Sequence, residues 1–312
     1  MKKIISILSI SVLLLLTSCN KADRGDDMVT LNYSVSLESA VTRAESENQG
    51  STKSPDGTAE YGKAEMISKV RCLVYSVAAD GTLTEFYTEE KDYSAQLQFN
   101  PSFFKNQSYK IAFVAYNPDA YNIEGELITY KTPFAENPEC YDLYVYAADV
   151  DFNNLQTTAD LARVVALWKV YTTDSDIEAT TAHGSTITKA SVTAEVNTSY
   201  NIFTGVASDR RAMTFKRAFP DDDSQTFGED SERYTLISAQ YIFPSDAVTV
   251  GLKTYSIQND TDIDNSSIEI PNVPTGANVK INIYGRIATV QSSFTVTLDL
   301  ESDGSENHPV GN

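Results

Sequence analysis

The chain has 312 residues and sets 24 Lys and Arg against 43 Asp and Glu, a formal net charge of −19. That length accommodates two domains of ordinary size. The acidic residues are spread along the whole chain, which describes a soluble, self-repelling surface and argues against a nucleic-acid partner, since phosphates need a basic stripe.

Lys2 and Lys3 open the chain, and Ile4 to Leu16 form an apolar run of thirteen residues. Such a run is too short to span a bilayer and has the build of an export signal, here residues 1–18. It ends in Leu16-Thr17-Ser18-Cys19, which resembles the lipobox of bacterial lipoproteins. The resemblance implies cleavage before Cys19 and lipidation of its thiol, with several acyl chains holding the chain at a membrane. Residues 19–27 read as a polar tether. They include Arg24-Gly25-Asp26, a tripeptide too short to carry a receptor assignment. The acidic residues beside Cys19 resemble the export tags of surface-exposed lipoproteins in Bacteroidetes.

The most regular stretch follows. Val29, Leu31, Tyr33, Val35 and Leu37 alternate with Thr30, Asn32, Ser34 and Ser36, a period of two that predicts a half-buried strand with one apolar face. Arg43 and Ala44 lie just beyond, at the start of a connection (residues 45–66) rich in Glu, Ser, Gly and Thr. Strands are then predicted at 68–77, 82–87, 95–99, 109–116 and 141–150, punctuated by Asp80-Gly81 and Asn117-Pro118. A polar stretch at 151–160 is the expected domain boundary, giving an N-terminal domain at 28–151 and a C-terminal one at 152–312. The second half is expected to hold strands at 163–171, 191–196, 212–219, 234–243, 247–257, 279–287 and 292–300. One short helix is expected from Asp174 or Ser175 to about His183, with Gly184 ending it. Residues 220–232 read as an acidic loop and residues from 302 as a polar tail.

Chemistry is thinly represented. His183 and His308 are the two histidines, so a three-histidine metal site cannot be built, and no nucleophile elbow or phosphate loop is present. Asp260, Asp262 and Asp264 have the spacing of the first calcium-loop ligands, but Asn265 and Pro271 stand where the loop needs Gly and a bidentate Glu. A solvated hairpin loop is the better reading. Cys72 lies on one strand face with Val70 and Val74 and reads as a small buried hydrophobe. Whether it bridges to Cys140 is left open. The expectation is a chain with no catalytic residue, no metal and no cofactor: not an enzyme.

The lipobox at Cys19, the strand at 29–37 and Thr42-Arg43-Ala44 together resemble the precursor layout of fimbrillin-like proteins of Bacteroidales, the type V pilus subunits and related Mfa/Fim families. Tyr200-Asn201-Ile202-Phe203-Thr204-Gly205, Pro271-Asn272-Val273-Pro274 and Asn278 to Gly285 extend the resemblance into the second half. It implies an all-β fold of two tandem antiparallel β-sandwiches, transthyretin-like with Greek-key connections, plus the one short helix. It implies a lipoprotein at the cell outer membrane, cut between Arg43 and Ala44. Val29, Leu31, Tyr33, Val35 and Leu37 would then form an exchangeable strand, replaced by a strand from another pilus subunit. The partners implied are other pilus subunits and, through the lipid, the outer membrane. The other reading is a surface lipoprotein that does not polymerise, binding glycans or host or bacterial surface ligands, or anchoring a pilus.

Overall fold

A computed structural model of the chain describes residues 28–37, 67–94, 96–132, 141–172, 187–218, 225–226, 233–258, 261–286, 294–300 and 305–308. In chain order the first half forms β1 (Met28–Thr30), β2 (Tyr33–Leu37), β3 (Lys69–Val77), β4 (Leu83–Asp92), β5 (Leu97–Phe99), β6 (Ser102–Phe104), β7 (Ser108–Tyr116), β8 (Tyr121–Glu124), β9 (Leu127–Tyr130), β10 (Tyr144–Asp149) and β11 (Thr158–Arg163). Seven of these make one sheet in the order β4-β3-β7-β10-β11-β2-β5, and β1 pairs separately with β6.

The centre of that sheet explains its own sequence. β3 and β7 carry nearly continuous apolar runs because both of their faces are covered. Val70, Cys72, Val74, Ile111, Phe113 and Ala115 point into one core, and the alternating Leu73, Tyr75, Ala112, Val114 and Tyr116 point into another. Towards the first core the sheet curls on itself. The Tyr33 and Phe99 rings of β2 and β5 come within 5.3 and 5.4 Å of the Phe113 ring. Lys91 Nζ on β4 donates to the Gln98 carbonyl on β5 at 2.6 Å, so the two end strands of the sheet meet.

The rest of the chain forms β12 (Ala166–Thr172), β13 (Ile187–Asn201), β14 (Ala207–Ala218), β15 (Gln225–Thr226), β16 (Arg233–Ile242), β17 (Ser245–Gln258), β18 (Thr261–Thr275), β19 (Val279–Gly285), β20 (Phe294–Leu300) and β21 (Ser305–His308). One six-stranded sheet runs β15-β16-β12-β19-β20-β21, the other β18-β17-β13-β9-β8 with β14 on the far edge of β13. The β8–β9 hairpin therefore completes a sheet whose other strands come from the second half. Pro271 and Pro274 are tolerated in β18 because it is an edge strand.

The expected fold class is corrected in two respects. All secondary structure among the described residues is strand, with no helix; the segment 174–183, for which the short helix is expected, lies outside those residues. The sheets are also mixed and not antiparallel throughout. β2 runs parallel to β11, and β12 runs parallel to β19. Parallel neighbours need a long connection. More than a hundred residues separate β2 from β11 and β12 from β19, so chain length permits what local alternation could not announce. Two further elements differ from expectation. Asp262 and Asp264 stand within β18, which pairs with β17 up to Gln258↔Thr261, and residues of the polar tail add β21 to β20.

The opening strand and the slot that holds it

The alternation at 29–37 is realised, but in two pieces. β1 pairs antiparallel with β6, setting Met28 opposite Phe104 and Val29 opposite Phe103. The Leu31 amide then donates to the Pro101 carbonyl at 3.0 Å, the chain steps across at exposed Asn32, and β2 enters the seven-stranded sheet. Leu31, Tyr33 and Val35 are buried, while Val29 and Leu37 are partly buried against the same core. All five predicted apolar positions are therefore brought together in one cluster. Cys19, Arg43 and Ala44 lie outside the described residues.

β2 is held on both sides. Along one side it runs parallel to β11, from Ser34 opposite Thr158 to Leu37 opposite Leu161. Along the other it meets the three residues of β5, from Tyr33 opposite Phe99 to Val35 opposite Leu97. The Ser34 amide donates to the Thr157 carbonyl at 2.8 Å, and the Ser36 hydroxyl donates to the Asp160 carboxylate. At its N-terminal end Tyr33 lines a cavity of 190 Å³ with Ile111, Tyr146 and the turn from Asp149 to Gln156. Burial, with Tyr146 and Cys72 adding to it, pushes the Tyr33 phenol up to about 12. Cys72 is a free, buried thiol; burial pushes its pKa well above the ordinary value, so it stays protonated and unreactive.

Burying an apolar side chain of this size contributes about 1.5–3 kcal/mol before ordering entropy is subtracted. Lifting the whole opening segment, residues 28–37, out would forfeit three such contributions in full and two in part. It would also bare the backbone donors and acceptors of β11 and β5 along a slot open to strand addition.

The wall of that slot is braced by a cluster that composition and spacing did not reveal. Asp142 and Arg163 are both buried, and Arg163 Nε donates to the two carboxylate oxygens at 3.0 and 3.1 Å. Arg163 Nη2 donates to the Tyr144 hydroxyl at 2.8 Å, which donates on to Asp142 at 2.9 Å. The Leu143 amide supplies a further donor. Tyr144 and Arg163 are the paired residues where β10 meets β11, so the cluster clamps the strand against which β2 lies. A visible signal existed: Asp142 and Arg163 each interrupt an apolar run, and a charge in such a run calls for a buried partner.

The resembling motif at 200–205 also has a local cause. It forms the β13–β14 turn, in which the Asn201 side-chain carbonyl accepts from the amides of Phe203 and Thr204 at 3.0 and 2.9 Å. Gly205 sits at φ +69°, where a side chain would be strained. Among the described residues no group of three or more His, Cys, Asp or Glu side chains is placed to hold a metal ion, and no helix is long and apolar enough to cross a membrane.

Several solved structures align with most of this chain. A candidate cell adhesion protein from Bacteroides eggerthii aligns over 88% of this chain and 95% of its own at 15% identity and a TM-score of 0.49. A candidate polysaccharide-binding protein from Bacteroides thetaiotaomicron aligns over 90% and 98% at 10% identity and 0.48. The fimbrial anchor protein Mfa2 from Porphyromonas gingivalis aligns over 87% and 98% at 14% identity and 0.44. A search of curated protein sequences returns no match. A protein-family model described as a family of unknown function, DUF6562, matches residues 23–309, and the chain belongs to that family.

Proposed function

We propose that this chain is a fimbrial or adhesive lipoprotein of the bacterial cell surface, held at the outer membrane through Cys19. Its opening strand would be exchanged for one from a neighbouring pilus subunit after cleavage between Arg43 and Ala44. The role is structural, without catalysis. The observation that carries this reading is the seat of β2. Five apolar side chains fill one core from a segment that joins the rest of the fold through a long polar connection, with hydrogen-bonded neighbours on both sides. Arg43 follows the end of β2 by six positions, so a cut there would leave β1 and β2 held by non-covalent contacts alone.

N-terminal sequencing of protein recovered from the cell surface, alongside limited trypsin treatment of the purified precursor, tests the proposal. The expected outcome is a new N-terminus at Ala44 and SDS-resistant ladders. Monomers that stay lipidated and uncut after the same treatment would overturn exchange and leave an anchor or a ligand-binding lipoprotein.

A further inference from the structure

The outer face of the short β1–β6 ribbon breaks the pattern of the rest of the surface. Its inner side chains, Val29 and Phe103, face the core, whereas Met28 and Phe104, opposite one another, point outwards with 54% and 39% exposure. A third apolar side chain joins them from another sheet. The pairing of β4 with β3 shifts register between Val74 and Tyr75, so that Tyr87 opposes Val74, Glu85 opposes Tyr75, and Phe86 has no residue opposite it. A bulge of this kind re-aims a side chain. Phe86, 38% exposed, lies edge-on to Phe104 with ring centroids 6.3 Å apart and rests on Tyr109 at 4.9 Å. Three large apolar groups thus form one exposed patch, with Lys105 exposed directly beyond Phe104.

The position of this patch in the chain suggests what covers it. Met28 follows Cys19 by nine positions, and nine residues reach at most about 30 Å when fully extended. A lipid on Cys19 would therefore keep the patch within a short distance of the bilayer. Tethering of that kind gives even a weak contact a high effective concentration. Phenylalanine and methionine suit the boundary between headgroups and acyl chains, and a neighbouring lysine can extend its amine to phosphate. We propose that Met28, Phe86 and Phe104 form a membrane-facing surface that seats the anchored protein on its own bilayer. This rests on the lipoprotein reading above. The net charge of −19 and the exposed Glu85 beside Phe86 make the contact one for lipid without net charge, and anionic lipid should weaken it.

The test uses the lipidated full-length chain in phosphatidylcholine vesicles. Native Trp168 is buried and serves as an internal blank. Phe104→Trp places a reporter in the patch, and Leu127→Trp places one at an exposed apolar position on a different sheet. An interfacial group sits roughly 5–10 Å into the headgroup and acyl boundary, so brominated acyl chains should lower the Phe104→Trp emission by about twofold and leave the Leu127→Trp and wild-type proteins nearly unchanged. Introducing Met28→Ser and Phe86→Ser beside Phe104→Trp should relieve the quenching. Vesicle flotation, with Cys19→Ala as the unanchored control, reports the anchor separately. A chain that floats but shows no more quenching at Phe104→Trp than at Leu127→Trp overturns the surface and leaves the anchor standing. A chain that does not float overturns both. Emission from Phe104→Trp that ignores bromine and shifts with protein density assigns the patch to a second copy, which overturns the proposal as well.

Discussion

At the scale of single residues, the buried Arg163–Asp142 pair decides how firmly the slot for β2 is built. Burial raises the Asp142 carboxyl above the ordinary carboxylate range, opposed by Arg163 and by the hydrogen bonds from Tyr144 and Leu143. A carboxyl whose folded-state pKa lies above its unfolded value of about 3.9 favours the fold while protonated. Its contribution is complete below that unfolded value and is lost as pH rises through the folded one. Arg163→Met removes the opposing cation and leaves the carboxylate alone in the core. The expected loss is about 3–5 kcal/mol near pH 7, as when one partner of a buried pair is deleted. It should shrink as pH falls through the further-raised Asp142 pKa. Urea denaturation of both proteins across the pH range in which both stay folded checks this; a loss that does not change anywhere in that range would place the cost in packing alone.

At the scale of the element, the slot specifies what can fill it. A replacement must run parallel to β11 and present apolar side chains where Leu31, Tyr33 and Val35 now sit, with polar groups at Asn32, Ser34 and Ser36. A synthetic peptide with the sequence of residues 28–37 should bind the trypsin-cut chain and suppress its ladders. The same peptide carrying Val35→Asp should compete at least about 10–100-fold more weakly, the equivalent of losing one buried side chain at 1.5–3 kcal/mol. Equal potency would mean that the slot does not read the alternation. The alternation itself was legible in the sequence because β2 exposes one face and buries the other. The break at Asn32 was not legible, since both halves keep the same phase while changing sheets. β6, β8 and β9 were missed because strands of three or four residues are too short to show a period, and β11 because its alternating Ala159, Leu161 and Arg163 begin within a polar stretch. The double-sided burial of β3 and β7 was written in their continuous apolar runs. Which layers covered them depended on a hairpin pairing with β13 some seventy residues onward, information no local window holds.

At the scale of the whole molecule, net charge and strand exchange act in opposite directions, and salt should reveal the balance. The full chain carries −19, and residues 1–43 hold almost as many acidic as basic groups, so the cut chain stays strongly acidic and two copies repel as they approach. Filling the slot, by contrast, forms apolar packing and backbone hydrogen bonds, which salt leaves nearly untouched. Screening shortens the reach of the repulsion from about 30 Å at 0.01 M to about 8 Å at 0.15 M ionic strength. Ladder formation by the cut chain should therefore accelerate severalfold across that range, with the extent at completion changing less than the rate. Timed trypsin digests resolved by SDS electrophoresis at fixed protein concentration measure both quantities. A rate that falls as salt rises would show that copies are steered together by opposite charges, and the acidic surface would then be complemented at the contact by a local basic patch.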